Sequence, residues 1–311
     1  MHAPDGFYSN SLCLIMDVAC TGVLAYSIKK TWKRISTREV FLASSVGAFT
    51  FALQLANFDV ARGSSCHFMG GVFASILLGP HVSTVVITLE HIIQVLLFQD
   101  GGIMAFGPNL LTIALISTFG SYYIYSLLKK FAIEPYGCYI SAFLSAWLTL
   151  LITSLAVCSM LSVCGIQRFF ATLGPMVGPH VEVGIAEGML TVLLLVGFRF
   201  WAPDLFSQQR LLSASAKKIS STLLGLALLI SLAISPFASR SAEGLEKLVL
   251  DRGHIHPHRI IIHYQAPIPD YHVPGIKDQE IAKILGGTLG TVATFTACML
   301  LLSFIRARTE S

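Results

Sequence analysis

The residue best placed for metal chemistry is His2, in the run Met1-His2-Ala3-Pro4-Asp5-Gly6. With a free α-amine on Met1, that amine, the backbone amide nitrogen of His2 and the His2 imidazole close two fused chelate rings on one ion. In-plane nitrogens of this kind suit the square-planar preference of Ni2+ or Cu2+. Position 2 is occupied by a large residue, so Met1 is expected to survive processing and supply the amine. The competing reading is an accidental histidine in a disordered tail. A second histidine lies in Arg62-Gly63-Ser64-Ser65-Cys66-His67-Phe68-Met69-Gly70-Gly71. Small residues on both sides let the backbone approach something closely, although a lone interfacial histidine is also a common structural hydrogen-bonding group. If both reach the same membrane face, a site with four nitrogens becomes available. Cys66, directly before His67, either adds a soft donor or is inert.

Other groups have weaker chemical readings. Asp17 and Glu90-His91 fall inside apolar runs, where ionisable residues mark functional sites by default; the alternative is that each is satisfied by a neighbouring helix. His180, Glu182, Glu187, Asp5 and Asn57 read as groups that orient ligands. His254, His256 and His258, with His263 and His272 nearby, form a histidine-rich tract that either gathers metal or has no role. Absences matter as well. There is no G-x-x-x-x-G-K-[ST] loop to hold nucleotide phosphates and no H-E-x-x-H pair, and the cysteines make no CxxC motif.

These groups need a frame, and composition supplies a bilayer. Apolar residues make up 54% of the 311 and charged residues 12%, about half the ~25% of soluble domains. The net charge of +4 is spread between apolar spans and is no nucleic-acid footprint. Nine spans are expected, near 10–28, 40–58, 67–79, 81–98, 107–128, 136–164, 180–201, 219–236 and 284–305, against a crossing length of about 20 residues. The third is short, and Gly79-Pro80 indicates a turn or broken helix. Thirteen lysines and arginines, among them Lys29, Lys30, Lys129, Lys130, Lys217, Lys218 and Arg306, fall on one side. By the positive-inside rule that side is cytoplasmic, which leaves the N-terminus outside and the C-terminus inside. The first span has basic residues only after it, the reverse of a cleaved signal. Small residues Ser44, Ala48, Ala52 and Ala56 recur four apart, a pattern for close helix packing within the chain or with another subunit.

His2 with Pro4-Asp5-Gly6, Asn57-Phe58, Gly63-Ser64-Ser65-x-His67, Gly70-Gly71, Leu77-Leu78-Gly79-Pro80, Gln99-Asp100-Gly101-Gly102 and Gly184-Ile185-Ala186-Glu187-Gly188 together resemble the CbiM/NikM family. These are substrate-capture components of cobalt and nickel energy-coupling-factor transporters. The resemblance covers residues 1–205 and implies an all-α polytopic membrane protein with a seven-helix core. It also implies a metal held by Met1, His2 and His67, and partnership with ATPase subunits and a transmembrane coupling subunit. After a cytoplasmic linker at 206–218, residues 219–311 are similar to the PDGLE domain, a CbiN-like module of two spans around an external loop. Its signature reads Ala242-Glu243-Gly244-Leu245-Glu246 here, with Ala242 and Glu243 in place of Pro and Asp. The small-residue face of the second span would resemble the surface that docks on the coupling subunit.

The expectation is a multi-pass cell-membrane subunit that captures Ni2+ or Co2+ as cargo, with no permanently bound cofactor, no enzymatic activity and no nucleic-acid partner. Its rivals are an ion-coupled secondary transporter relaying protons through Asp17 and Glu90, and a membrane metal sensor.

Overall fold

The computed structural model describes residues 2–32, 35–60, 63–133, 135–202, 213–239, 241–252 and 260–310. Met1, His254, His256, His258 and most of the 206–218 linker lie outside the described residues.

The architecture is helical, in keeping with the apolar composition. Helix α1 spans Asn10–Trp32 and α2 spans Thr37–Leu55. A short antiparallel hairpin follows, β1 (Phe58–Val60) and β2 (Ser64–Cys66), pairing Phe58 with Cys66. Helix α3 runs Gly71–Ile93 and continues through a π-helical turn, Gln94–Phe98. Helix α4 (Phe106–Asn109) continues through π-helical Leu110–Gly120 into α5 (Ser121–Phe131). Then come α6 (Gly137–Val163), α7 (Phe169–Trp201), α8 (Ser213–Leu229), the short α9 (Gly244–Arg252) and α10 (Gln279–Glu310).

Local sequence accounts for several boundaries. A reciprocal capping box opens α2: Glu39 N–H donates to Ser36 Oγ and Ser36 N–H donates to Glu39 Oε2, so two orphan amides are satisfied together. Asp278 caps α10 by accepting from the amides of Glu280 and Ile281. Helix α3 is broken where the sequence indicates. Gly79 takes φ 75°, ψ 164°, a conformation costly for a residue with a Cβ, and Pro80 has no N–H to continue the ladder.

Among the described residues seven helices are long and apolar enough to cross a membrane, and the chain is a multi-pass membrane protein. Two of the nine expected spans, 40–58 and 67–79, fall below that measure of length and hydropathy. Residues 71–79 form the first half of broken α3, and His67 lies before it in a loop. Gly79 and Pro80 line a cavity with Lys30 and Glu39, whereas Met69 meets Gln54 at the opposite ends of the same helices. Both elements therefore run between the two faces. Helix α2 is present, but it is enclosed by the protein. It sits against α3, α8 and α10 with nearly all its side chains buried. Counting the two halves of α3, the part before residue 202 holds seven helical segments, and α8 and α10 add two more.

Enclosure of α2 also corrects the reading of its small residues. Ser44, Ala48 and Ala52 have no exposed surface, and α8 and α10 pack on this helix. That face docks on the chain itself, so it is not open to a coupling subunit. Lipid offers no hydrophobic drive for helix association, leaving close packing and interhelical hydrogen bonds. Hydroxyl pairs supply the latter: Thr84–Thr118 (2.5 Å), Ser75–Ser121 (3.0 Å) and Ser231–Thr291 (2.6 Å). Each contributes about 0.6 kcal/mol on average.

Candidate metal centre

The first residues are fixed to the loop between α3 and α4. Ala3 N–H donates to Asn109 Oδ1 (2.9 Å), and Asn109 Nδ2 (3.0 Å) and Gly102 N–H (2.9 Å) donate to Ala3 O. Asp5 accepts from the backbone amides of Ile103, Met104 and Ala105. Only glycine fits at 102, since a Cβ there would lie 2.5 Å from Asp5 N. The clamp delivers His2 to the interior, where it is 9% exposed.

The His2 ring stacks between His67 (centroids 5.1 Å apart) and His91 (5.4 Å). Its tautomer follows from a chain of amides. Met69 O, a carbonyl, can only accept, and it takes a hydrogen bond from Gln54 Nε2 at 3.2 Å. Gln54 therefore presents Oε1 to Gln94 Nε2, 2.7 Å away. Gln94 in turn presents Oε1 to His2 Nε2 at 3.2 Å, so Nε2 carries the proton and Nδ1 carries the lone pair. Nδ1 is buried, makes no hydrogen bond and lies 3.1 Å from Asp100 Oδ1. The other Asp100 oxygen accepts from Tyr271 Oη at 2.5 Å. Two acceptors so close require a shared proton or a cation between them.

His67 is set in the same way. Its Nδ1–H donates to Phe68 O at 2.9 Å, which leaves the Nε2 lone pair facing Glu243 Oε1 at 3.6 Å. Burial holds the His2 imidazole down at about 3 and His67 at about 4. Both rings are then neutral at pH 7 and present lone pairs. Glu187 fixes the loop behind His67 by accepting from the amides of Met69 (2.8 Å) and Gly70 (3.0 Å).

One ligand atom each from His2, His67 and Glu243 lie within 4.8 Å of one another, which makes these three a possible metal group among the described residues. The structure thus brings His2 and His67 together as the sequence suggests and adds a carboxylate that sequence reasoning set aside. The available signal was small: the acidic position of the PDGLE signature keeps an acid. Gln54 and Gln94 were also missed, and their signal was an amide side chain inside an apolar run.

The remaining expectations sort by position. Asp5 and Glu187 hold backbone near the site, as groups that orient ligands should. His180 lines a cavity of about 10 Å³ beside His67, together with Cys66 and Glu243, and its Nδ1 lies 2.5 Å from Met176 O. Glu182 is exposed and Asn57 half-buried. Burial pushes the Cys66 thiol up to about 11, so Cys66 is a protonated thiol. Asp17 accepts from the Gly107 amide and Glu90 from Thr50 Oγ1 at 2.6 Å, the helix-neighbour reading for each.

The amide chain makes a prediction. Gln94→Leu removes the acceptor that keeps the proton on His2 Nε2, and Ni2+ affinity should fall about 10–100-fold, the range for groups that orient ligands. Gln94→Glu keeps an acceptor and should stay within a few-fold of the parent. Isothermal titration of both variants checks this, and equal losses would remove the tautomer argument.

Fold and cluster together define a multi-pass membrane protein with a buried group able to hold a metal ion. Residues 2–205 match the family model described as the cobalt uptake substrate-specific transmembrane region, CbiM, and residues 217–307 match the PDGLE domain. The chain belongs to the CbiM family and carries a PDGLE domain behind the matching region. It is 31% identical over 304 residues to an Archaeoglobus fulgidus protein provisionally named a fused nickel transport protein, NikMN, covering 94% of this chain and 95% of that one. It is 28% identical over 212 residues to the cobalt transport protein CbiM of Lachnoclostridium phytofermentans, covering 65% of this chain and 83% of that one. A crystal structure of a transition metal transporter superposes with a TM-score of 0.58 at 26% identity, covering 65% of this chain and 94% of that one.

Proposed function

We propose that this chain is the substrate-capture subunit of an energy-coupling-factor importer for Ni2+ or Co2+. The cargo ion is chelated by the Met1 amine, the His2 amide nitrogen and Nδ1, and His67 Nε2. One observation carries the reading: both histidines are set in tautomers whose lone-pair nitrogens face one buried cluster. For His2 that nitrogen is Nδ1, the atom nearer the backbone and the one a chelate through its own amide requires. Selectivity comes from geometry and from the rigid clamp on residues 3–5, because raw affinity rises towards Cu2+ at any such site. The cargo is the only metal this reading requires, and no resident cofactor takes part.

The site faces outside and the C-terminus is cytoplasmic, supported by the lysine and arginine distribution. A single cysteine placed near Ile262 should react with an impermeant reagent in intact cells. The chain lacks a phosphate-binding loop, so separate ATPase subunits and a transmembrane coupling subunit drive transport. With the small residues of α2 enclosed, the coupling subunit docks on another face.

Proteoliposomes holding this chain alone should bind the ion without accumulating it, and should accumulate it once the ATPase and coupling subunits and ATP are added. ATP-independent accumulation by the chain alone would favour the rival in which Asp17 and Glu90 relay protons.

A further inference from the structure

The hairpin at the metal centre is met by an isolated bridge from the far end of the sequence. Ser65 forms a parallel bridge with Glu243. Its amide donates to Ala242 O (3.0 Å) and its hydroxyl to Ser241 O (2.6 Å). Just before this, Ser239 N–H donates to Asn57 O (2.8 Å), and the hydroxyls of Ser239 and Ser241 donate to Asp59 Oδ1. Just after it, Leu245 and Leu248 are buried with Phe7, Tyr8 and Met176. Glu243 is thus held on both sides by main-chain pairing and by apolar packing, and its side chain is 22% exposed.

We propose that Glu243 is a ligand of the transported ion, supplied by the PDGLE domain to a site otherwise built from the CbiM region. The proposal rests on the chelate reading above and adds a donor to it. Distance supports it: two donors on opposite sides of an ion, each at about 2.0–2.2 Å, stand roughly 4.2 Å apart, and the three atoms of the cluster fall within 4.8 Å. Charge supports it too. A divalent ion bound by a neutral amine, a deprotonated amide and two neutral imidazoles keeps one net positive charge. Burying an uncompensated charge is costly, and the Glu243 carboxylate cancels it. Asp100 reaches the His2 side of the cluster and is outside the three-residue group.

The test uses the purified full chain with Ni2+ and with Co2+ alone, reading affinity by titration and the donor set by ligand-field spectra and X-ray absorption. Glu243→Gln is close in shape and loses the charge. It should weaken binding at least tenfold, shift the ligand-field bands and lower the count of nitrogen and oxygen donors by one. An unchanged spectrum and donor count in Glu243→Gln would overturn the assignment, whatever happens to affinity. If that variant does not fold, the parent protein still decides: a shell of four nitrogens with no further donor overturns it. The chelate reading fails separately, through an N-terminal extension that leaves binding intact.

Discussion

Adding one residue ahead of Met1 should lower Ni2+ or Co2+ affinity by more than 100-fold while leaving the folded protein otherwise unchanged. The extension converts a terminal amine into an amide and moves His2 out of register for chelation. The clamp at residues 3–5 leaves no slack, because Ala3 and Asp5 are fixed by six hydrogen bonds to residues 102–109. Losing a ligand should exceed the ~10–100-fold typical of the groups behind it. Mass spectrometry of the parent should find Met1 at the mature amino terminus. The pH profile reads the same chemistry independently. An α-amine titrates ordinarily at about 7.7–8.0, whereas burial holds the two imidazoles at about 3 and 4. Ligation needs the deprotonated forms. Affinity should therefore fall as pH drops from 8 towards 5, where only amine and amide protons compete. In the extended variant the residual binding should be flat over that window and weaken only as pH approaches 4. An extended or acetylated chain that binds with unchanged affinity would leave only a histidine site.

His67→Ala should be comparably damaging, again more than 100-fold, because it removes a whole donor from the cluster. Its fold should survive. Glu187 holds the following loop through the backbone amides of Met69 and Gly70, and neither bond uses the imidazole. Thermal unfolding without metal should move by a few degrees, while the stabilisation that saturating Ni2+ confers on the parent disappears. Retention of that stabilisation in His67→Ala would show that the ion sits elsewhere.

The two histidines were legible in the sequence because each sits in a run with special backbone needs: a free end for His2, and glycine and serine neighbours for His67. The break at Gly79-Pro80 was legible for the same reason, as backbone chemistry is local. Glu243 was not. It approaches His67 through a strand pairing between residues 176 positions apart, as the Ser65–Ser241 contact is, and no periodicity records such a pairing. The small residues of α2 indicated a close-packed face but not its partner, which lies within this chain. Hydropathy marked α2 as an apolar helix, but hydropathy alone does not distinguish enclosure by the protein from contact with lipid. Gln54 and Gln94 have no signature in the sequence beyond an amide inside an apolar run, and only the direction set by Met69 O gives them a shared role.

The bridge from Glu243 also sets a schedule for synthesis. His2 leaves the ribosome among the first residues, while Glu243 and Tyr271 emerge near the end. At about 5–20 residues per second, roughly 12–50 s separate the two halves of the site. During that interval the nascent chain has its histidines but neither its last carboxylate nor the phenol that holds Asp100. A chain cut short before residue 243 would keep His2 and His67 but lack Glu243, so its metal affinity should fall at least as far as that of Glu243→Gln.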